Sequence, residues 1–252
     1  MCGRAQREER LPYDLRMQIF VVGTGRSGTH WVGHILEEHP GVRATIETRP
    51  IFPIATRAAI QPKSRPILLP LLRLAYRREV KRSLPLAYAD KSHPVIWFAE
   101  EVADWFPDAR FVAIERNPFA TVSSMLLHSG VSGWHANWRR HGIPNEFLGI
   151  SEKSAPLYDG FSETQKAALR WESHHDRLEF LKKRLAPRLH VLDYEEMSLN
   201  FKRTLEGLWE FLDLRRIESS HQPNPRSLNN WRSHLTGEQI IEITEITGRS
   251  PG

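Results

Sequence analysis

A glycine-rich turn between an apolar run and a helix-like segment is the feature that most constrains this chain; it lies in residues 17–36, MQIFVVGTGRSGTHWVGHIL. The apolar run at 19–22 predicts a strand, and the glycines that follow permit backbone conformations that other residues rarely adopt. A helix predicted from Thr29 leaves free N–H groups that point back at the turn, where they attract anions and above all phosphate. The stretch therefore predicts a strand, an anion-binding loop and a helix.

The side chains of this loop favour the same kind of ligand. Arg26 carries a permanent charge and a fork of donors, and the hydroxyl groups of Ser27 and Thr29 can complete a cradle of hydrogen bonds. We therefore expect phosphate contacts from the loop and from the start of the helix, which comprise Gly25, Arg26, Ser27, Gly28, Thr29 and His30.

The glycine spacing fits one nucleotide-binding motif and departs from another. A Walker loop needs Lys and then Ser or Thr after its last glycine, whereas Gly28 is followed by Thr29 and His30. The glycines do fit the dinucleotide pattern G-x-G-x-x-G, and Glu47 follows a predicted second strand at about the spacing of a ribose-binding acid. An NAD(P)-dependent oxidoreductase and a non-catalytic nucleotide-binding module therefore stay open at this point.

The length and composition of the chain fit one globular domain. The 252 residues, 40% of them hydrophobic and 26% charged, are enough for a substantial core. We expect a single domain over 1–252, in which the polar residues 1–16 form a flexible N-terminal segment. That segment lacks the apolar core of a signal peptide, and no other run is long enough to span a bilayer, which predicts a cytoplasmic protein.

Predicted strands alternate with predicted helices along the chain. The strands are predicted at 19–22, 42–46, 110–114 and 189–192, and the helices at about 29–38, 95–105, 118–125, 163–186, 198–212 and 236–247. A turn is expected around Asp90. The alternation predicts an α/β fold with three α/β/α layers and a central parallel sheet of about four to five strands. A ligand is expected at the carboxyl ends of the strands.

Two longer stretches lack a clear period. Residues 51–86 contain repeated prolines and are predicted to be irregular, although their basic, leucine-rich middle can form an amphipathic helix. Such a helix over 65–82 could be a lid, a peripheral contact with an anionic membrane, or cover for the core. Residues 128–162 are rich in aromatic side chains and are predicted to be a substrate-facing insertion.

Four separated segments together resemble one family, the sulfotransferases that use 3′-phosphoadenylyl sulfate (PAPS). GTGRSGTHW resembles the loop that binds the 5′-phosphosulfate, and FVAIERNPFATVSS resembles the element that grips the 3′-phosphate, here with Arg116 and Ser124. LDYEEMSLNFKRTLEGLWEFL resembles the segment in which an aromatic residue contacts the adenine, here Tyr194. SLNNWRSHLT resembles the loop that closes over the nucleotide, here with Trp231 and Arg232.

The resemblance implies a P-loop-like nucleotide-binding topology and an enzyme that moves a sulfuryl group from PAPS to a hydroxyl or amine. The acceptor would be a small molecule, a carbohydrate or a lipid. Trp31 holds the family's adenine-stacking position. By analogy with phosphoryl transfer, Arg26 and the loop N–H groups would stabilise the leaving phosphate, and Lys91 could reach the sulfuryl oxygens.

The general base has two candidates. The triplet 91–93, Lys-Ser-His, is similar to the K-[ST]-H of cytosolic members of the family, in which the His is the base, so His93 is the first candidate. Pro94 follows directly, and Asp-Lys-Ser at 90–92 also resembles branches that often use a carboxylate instead. Glu47 is therefore the alternative base.

Neither a metal nor a nucleic acid is expected as a partner. His30 and His34 have i,i+4 spacing, but no third ligand follows in a recognisable pattern. The formal net charge of +5 suits an anionic partner without identifying it. The basic residues are scattered rather than grouped on one face, which argues against nucleic-acid binding.

Overall fold

The computed structural model describes residues 17–251, so the expectation for 1–16 lies outside the described residues. Its centre is a five-stranded parallel sheet with the order β2-β3-β1-β4-β5. The strands are β1 (Gln18–Gly23), β2 (Val42–Ile46), β3 (Ala87–Lys91), β4 (Arg110–Glu115) and β5 (Leu189–Asp193). Helices cover both faces, which confirms the predicted three-layer α/β/α fold with a parallel sheet.

Eleven α-helices lie within the described range. They are α1 (Thr29–Glu37), α2 (Ile51–Ile60), α3 (Arg65–Ser83), α4 (Ala99–Trp105), α5 (Pro118–Leu126), α6 (Ser129–Ala136), α7 (Glu163–Arg184), α8 (Tyr194–Leu199), α9 (Phe201–Leu212), α10 (Trp231–His234) and α11 (Gly237–Thr247). Shorter 3₁₀ turns include Pro62–Ser64, His93–Phe98, Trp138–Arg140, Glu146–Leu148, Ala155–Gly160 and Pro225–Leu228. No helix within residues 17–251 is long and apolar enough to cross a membrane.

Side chains on the central strand β1 alternate between two apolar clusters. Ile19 and Val21 belong to a buried cluster shared with α1 and α9, and Phe20 and Val22 belong to a second cluster shared with α2, α3 and α7. A strand that is covered on both faces has no solvent-facing side, so its sequence is apolar without a break. This explains why the strand could be predicted from its sequence.

The expected turn around Asp90 is wrong, because residues 87–91 form β3 between β1 and β2. Asp90 is only 1% exposed, and its carboxylate accepts hydrogen bonds from Tyr76 Oη at 2.9 Å and from Thr45 Oγ1 at 3.1 Å. Burial raises the pKa of Asp90 to about 6 despite these bonds. Polar residues at the end of a strand are easily predicted as a turn, because the sequence does not show the buried partners that satisfy them.

The expectation of an irregular segment over 51–86 is also wrong for most of its length, because α2 and α3 occupy it, whereas the helix expected over 65–82 is confirmed by α3. Pro53 and Pro66 lie in the first turns of these helices, where the missing N–H has no intrahelical partner to lose. Pro70 is accommodated within α3. The helix predicted at 198–212 likewise begins earlier, since α8 starts directly after β5 and is followed by α9.

Candidate active site

The glycine loop joins β1 to α1 and is tied to the neighbouring strand. Gly23 and Gly28 have φ values of 145° and 105°, which favour glycine. A Cβ atom on Gly28 would lie 2.7 Å from Tyr194 Cδ2, so a side chain there would also collide with the next element. Ser27 Oγ donates to the carbonyls of Thr24 at 2.6 Å and Ile114 at 3.1 Å. The Ser27 hydroxyl therefore fixes the loop rather than facing a ligand.

A cavity of about 290 Å³ opens above this loop at the carboxyl ends of the strands. It is lined by Arg26, Gly28, Thr29, His30, Trp31, Arg116, Ser124, Tyr194, Gln222 and Asn224. We call it the donor cleft. Eight of these ten residues were predicted from the sequence, and the remaining two come from the loop after α9.

Arg116 and Ser124 lie directly beside the glycine loop. Arg26 Nε donates to Ser124 Oγ at 3.1 Å, and Arg116 Nη1 donates to the Arg26 carbonyl at 3.4 Å. Asn117 caps α5 by accepting a hydrogen bond from the Ala120 N–H, which fixes the turn that carries Arg116. Two groups of anion-binding side chains that are far apart in the sequence therefore meet in one cleft.

The side chain of Arg116 is half-buried and keeps one donor free for a ligand. Its Nη2 donates to the Ser227 carbonyl at 2.7 Å, and its Cζ lies 4.2 Å from the centroid of the Tyr194 ring. Nε is buried and has no hydrogen-bond partner among the described residues. Burial lowers the pKa of Arg116, which remains cationic at neutral pH. A cation with a buried, unused donor is suited to an anionic ligand.

Aromatic side chains form one wall of the donor cleft. Trp31 stacks on Phe201 with 5.5 Å between ring centroids and meets the edge of Tyr194 at the same distance. Trp31 Nε1 donates to the His221 carbonyl at 2.6 Å, and Tyr194 Oη shares a hydrogen bond of 2.7 Å with Ser227 Oγ. This wall offers flat apolar surface to a planar group.

A second cavity of about 170 Å³ lies on the other side of Arg26, Thr29 and His30, which also line the donor cleft. Its other lining residues are Gly25, Glu47, Phe52, Lys91, His93, His128, Gly130, Val131, Trp134 and Arg170. We call it the acceptor cavity. Because the two cavities share three lining residues, they are adjacent at the loop.

Glu47 connects two cationic or basic groups at the mouth of the acceptor cavity. It lies at the end of β2 in a left-handed conformation, with φ of 50°, and its Oε1 accepts hydrogen bonds from Lys91 Nζ and from His93 Nδ1, the latter at 3.2 Å. Burial alone would raise the pKa of Glu47, but the hydrogen bond from His93 and the charge of Lys91 outweigh it and hold the pKa at about 2. Glu47 is therefore anionic throughout the physiological range.

Lys91 is almost completely buried, with 2% of its surface exposed. Its Nζ also donates to His30 Nδ1 at 3.0 Å, so it holds Glu47 and His30 together. Burial lowers the pKa of Lys91, against the opposing charge and hydrogen bond of Glu47. Burial, and then the Lys91 charge, also lower the pKa of His30.

His93 presents a free ring nitrogen beside the glycine loop. The carboxylate of Glu47 can only accept, so the Nδ1 of His93 carries the proton and its Nε2 is left with a lone pair. Nε2 has no partner among residues 17–251 and would lie 3.1 Å from a Cβ atom placed on Gly25. Burial, opposed by Glu47 but reinforced by Lys91, lowers the pKa of His93 to about 4, so the ring is neutral at neutral pH.

Three of the predicted nucleotide-binding residues lie outside both cavities: Ser27, Trp231 and Arg232. Trp231 is buried and stacks on Phe119 with 5.1 Å between centroids, and the guanidinium of Arg232 lies 4.5 Å from the Trp231 ring centroid. Neither residue lines the donor cleft or the acceptor cavity. Their place is in the packing of α10 against α5.

The sequence reasoning missed several residues of the site: Phe52, His128, Gly130, Val131, Trp134, Arg170, Gln222 and Asn224. Some belong to the stretch 128–162 that was predicted to face the substrate, but only as a segment. Arg170 gave no signal at all, because a single arginine in a long helix is usually solvated. Only the packing of α7 against the sheet shows that it is buried.

Three potential metal ligands come within reach of one another elsewhere in the described part of the chain. Ligand atoms of Glu115, His175 and Glu179 lie within 4.8 Å of one another. Cationic groups already contact them: Lys182 pairs with both carboxylates, and Arg249 Nη2 lies 3.0 Å from His175 Nε2. The group is thus built as an ion-pair network, and the expectation that no metal takes part stays a prediction.

A parallel α/β sheet with an anion-binding loop after its central strand and two arginines, Arg26 and Arg116, at its carboxyl edge is the architecture of a nucleotide-binding α/β protein. The sequence profile of the sulfotransferase family matches residues 18–218. The chain therefore belongs to the sulfotransferase family, whose members are enzymes that transfer a sulfuryl group.

Solved structures of sulfotransferases share the fold. The sulfotransferase domain from the curacin biosynthetic pathway superimposes with a TM-score of 0.60 at 13% identity, covering 92% of this chain and 98% of that one. Mouse sulfotransferase SULT7A1 complexed with PAP gives 0.51 at 18% identity, covering 94% and 87%. A sulfotransferase from Alicyclobacillus acidocaldarius gives 0.50 at 12%, covering 92% and 96%. No curated protein sequence matches the chain.

Proposed function

We propose that the protein transfers the sulfuryl group of PAPS to a hydroxyl or amine group of a small-molecule, carbohydrate or lipid acceptor. The observation that carries the proposal is that the donor cleft and the acceptor cavity meet at Arg26, Thr29 and His30. The donor cleft contains hydrogen-bond donors suited to phosphate and an aromatic surface. The acceptor cavity contains a neutral histidine, His93, with a free lone pair. The complex of the mouse relative with PAP supports the choice of donor.

PAPS carries two separate anionic groups, and the donor cleft has a separate set of donors for each. The loop N–H groups and Arg26 would hold the 5′-phosphosulfate at the start of α1. Arg116, with its free Nε, and Ser124 would hold the 3′-phosphate. The aromatic wall with Trp31 and Tyr194 would take the adenine.

The reaction forms a bond between the acceptor oxygen and sulfur and breaks the bond between sulfur and the bridging oxygen of the 5′-phosphate. PAPS supplies the sulfuryl group and leaves as 3′-phosphoadenosine 5′-phosphate (PAP). By analogy with phosphoryl transfer, the protein contributes in-line positioning and neutralisation of charge. Arg26, which is exposed and lines both cavities, and Lys91, which lines the acceptor cavity, supply that positive charge. Burial strengthens the effect of Lys91.

We assign the general base to His93 and a positioning role to Glu47. The acceptor proton would move to His93 Nε2, the ring nitrogen that has no other partner. Glu47 is a poorer base because two donors already stabilise its anionic form. Its carboxylate instead sets the tautomer of His93 and would stabilise the imidazolium that forms when the proton arrives.

The same contacts disfavour the oxidoreductase alternative. The dinucleotide hypothesis needs Glu47 to accept hydrogen bonds from a ribose. The Oε1 atom of Glu47 is committed to Lys91 and His93, and Oε2 faces His30 Nε2 at 3.6 Å. That hypothesis would also leave the Arg116 and Ser124 pair without a role.

A peripheral membrane contact would fall on α3. This helix exposes Ile67, Leu71 and Leu74, which share one face at i, i+4 and i+7 spacing, and it also carries five arginines and one lysine. Its other side covers the core through Leu72 and Tyr76. Apolar side chains flanked by cations are suited to the surface of an anionic membrane, where a lipid acceptor would also reside.

A ligand comparison tests the donor and a transfer assay tests the reaction. Thermal shifts with PAP, NAD and ATP should show clear stabilisation by PAP alone, because a ligand stabilises only the state that binds it. Radiolabelled PAPS with a mixture of alcohols, phenols, sugars and amines should then yield labelled product. Stabilisation by NAD without PAP would overturn the proposal, and PAP binding without turnover of any acceptor would favour a non-catalytic module.

A further inference from the structure

Arg170 is a charged residue in the acceptor cavity that has no counter-ion among residues 17–251. Its side chain is completely buried in α7, with 0% of its surface exposed. No carboxylate pairs with it within residues 17–251, and burial lowers its pKa to about 10, which leaves it cationic. Tyr158 is the ionisable neighbour of Arg170, but it cannot act as the counter-ion. Burial raises the pKa of its phenol, which therefore stays neutral.

The hydrogen bonds of Arg170 leave one edge of its guanidinium unused. Nη1 donates to Met125 Sδ at 3.6 Å, a weak acceptor, whereas Nε and Nη2 have no partner in the described part of the chain. The charge lies 4.8 Å from the Phe147 ring centroid and 5.4 Å from that of Trp134. These aromatic faces stabilise a cation but do not satisfy its N–H groups.

Nε and Nη2 lie on the same edge of the guanidinium plane. This pair of parallel N–H groups matches the two oxygens of a carboxylate or of one face of a sulfate or phosphate group. A buried arginine with this edge free is energetically unfavourable unless a bound group completes it. Because Arg170 lines the acceptor cavity together with His93, the group that completes it would come from the acceptor.

We propose that Arg170 forms an oxyanion subsite in the acceptor cavity, so that the preferred acceptors are hydroxy compounds that also carry a carboxylate or a similar planar oxyanion. The proposal rests on the proposed function, since it names the acceptor class of the same site. Arg170 would bind the acid group, and Trp134, Phe52 and Val131 would pack against the body of the acceptor. The hydroxyl would then face His93 and the loop.

A binding comparison tests the subsite without requiring turnover. The full chain, saturated with PAP so that the donor cleft is filled, is titrated calorimetrically with benzoate and phenylacetate and with the neutral isosteres benzamide and phenylacetamide. We expect the carboxylates to bind about ten- to a hundredfold more tightly than the amides, as for a charge-assisted pair that replaces unsatisfied donors. Equal affinity for acid and amide in the wild-type protein would overturn the proposal.

Variants identify the residue that gives the preference. Arg170→Gln should bind acid and amide equally, whereas Arg184→Gln, which changes an exposed arginine on the same helix, should keep the wild-type preference. Arg170→Lys keeps the positive charge but lacks the two-donor edge, so it should retain only a fraction of the preference for the acid. This variant replaces Arg170→Gln in the test if the Gln variant does not fold. A preference that survives in Arg170→Gln would show that the anion binds at Arg26 or Lys91 instead and would refute the subsite.

A second arm uses the transfer reaction. Matched acceptors that differ only in the acid group, 4-hydroxyphenylacetate and 4-hydroxyphenylacetamide with their 3-hydroxy isomers, are compared with labelled PAPS. The hydroxy acids should have the lower KM, and Arg170→Gln should raise that KM about ten- to a hundredfold while PAP affinity stays within threefold. If the wild-type protein does not bind PAP, the result counts against the proposed function alone. A KM that is the same for acid and amide would count against the subsite alone.

Discussion

The prediction that separates the roles of His93 and Glu47 uses the change Glu47→Gln. Glutamine keeps the volume and an oxygen acceptor, but it removes the negative charge beside Lys91 and His93. The pKa of Glu47 is about 2 instead of 4.5, which corresponds to about 3 kcal/mol of net interaction between the carboxylate and these neighbours.

The variants Glu47→Gln and His93→Gln should lose activity to different extents. In the proposed mechanism an imidazolium forms on His93 as the acceptor proton arrives, so in Glu47→Gln the part of the Glu47 interaction that stabilises His93 would be lost from the transition state. If His93 and Lys91 share it equally, kcat falls about tenfold in Glu47→Gln. His93→Gln removes the base itself and should lower kcat by about 10² to 10⁴.

The pH dependence gives the sharper distinction. The pKa of His93 is about 4, so wild-type kcat/KM should be flat from about pH 5 to 8 and fall only below that range, instead of falling near the ordinary imidazole pKa of 6.5. Glu47 opposes the lowering of this pKa, so its removal should move the acidic limb to still lower pH. The direction is informative because an acidic limb that moved to higher pH would mean that the carboxylate does not stabilise the imidazolium of His93.

The assay measures kcat and kcat/KM from pH 4 to 9 with labelled PAPS and the best acceptor found by screening. Both variants are compared with Arg184→Gln, and thermal shifts with PAP verify that the donor cleft is intact. The reasoning is refuted if His93→Gln keeps wild-type activity, or if Glu47→Gln moves the limb toward pH 6.5. Loss of activity in Glu47→Gln as complete as in His93→Gln would transfer the base role to the carboxylate.

Three further predictions follow from the same geometry. Because burial lowers the pKa of His93 in the folded protein, the unfolding free energy should fall by up to about 3 kcal/mol as the pH drops from 6.5 to 4. His93→Gln should make this pH dependence weaker. A calorimetric pH dependence that is the same in the variant would contradict the prediction. Arg116→Gln should weaken PAP binding about ten- to a hundredfold, and Ser124→Ala less; equal affinities by calorimetry would remove the 3′-phosphate assignment. Leu71→Asp on α3 should reduce sedimentation with phosphatidylserine vesicles, whereas Leu199→Asp on α8 should not; no binding by the wild-type protein would end the membrane hypothesis.

The donor side of the site follows from rules that act over short stretches of sequence. The unbroken apolar run of β1 and the glycines after it predict a strand and an anion-binding turn without knowledge of the rest of the chain. Arg116 follows directly on the end of a second strand. Since the carboxyl ends of parallel strands meet at one edge of a sheet, their proximity could be predicted as well.

The acceptor side depends on partners that the sequence does not join. The end of β3 was predicted as a turn because Asp90 and Lys91 are charged, yet both are buried and partnered by residues from other elements, Tyr76 and Glu47 among them. Arg170 lies in a long helix whose other face is polar, and only the arrangement around α7 shows that it faces a cavity. The periodicity of apolar residues in the sequence cannot predict such contacts between separate elements.

Several residues that break local rules lie around one space, and this is itself an argument about function. Arg26 and Glu47 adopt left-handed backbone conformations with φ of 78° and 50°, and each such residue costs of order 1 kcal/mol or more. The other non-glycine residue with positive φ among those described, Asp213, ends α9 away from the site. Lys91 is buried beside Glu47, and Arg170 is buried without a counter-ion among residues 17–251. A sequence selected for stability alone would replace these groups with apolar residues, which is often neutral or stabilising for buried charges. Bound anions on both sides of the loop would offset these costs together, so PAP and a carboxylate should stabilise the fold by more than either does alone.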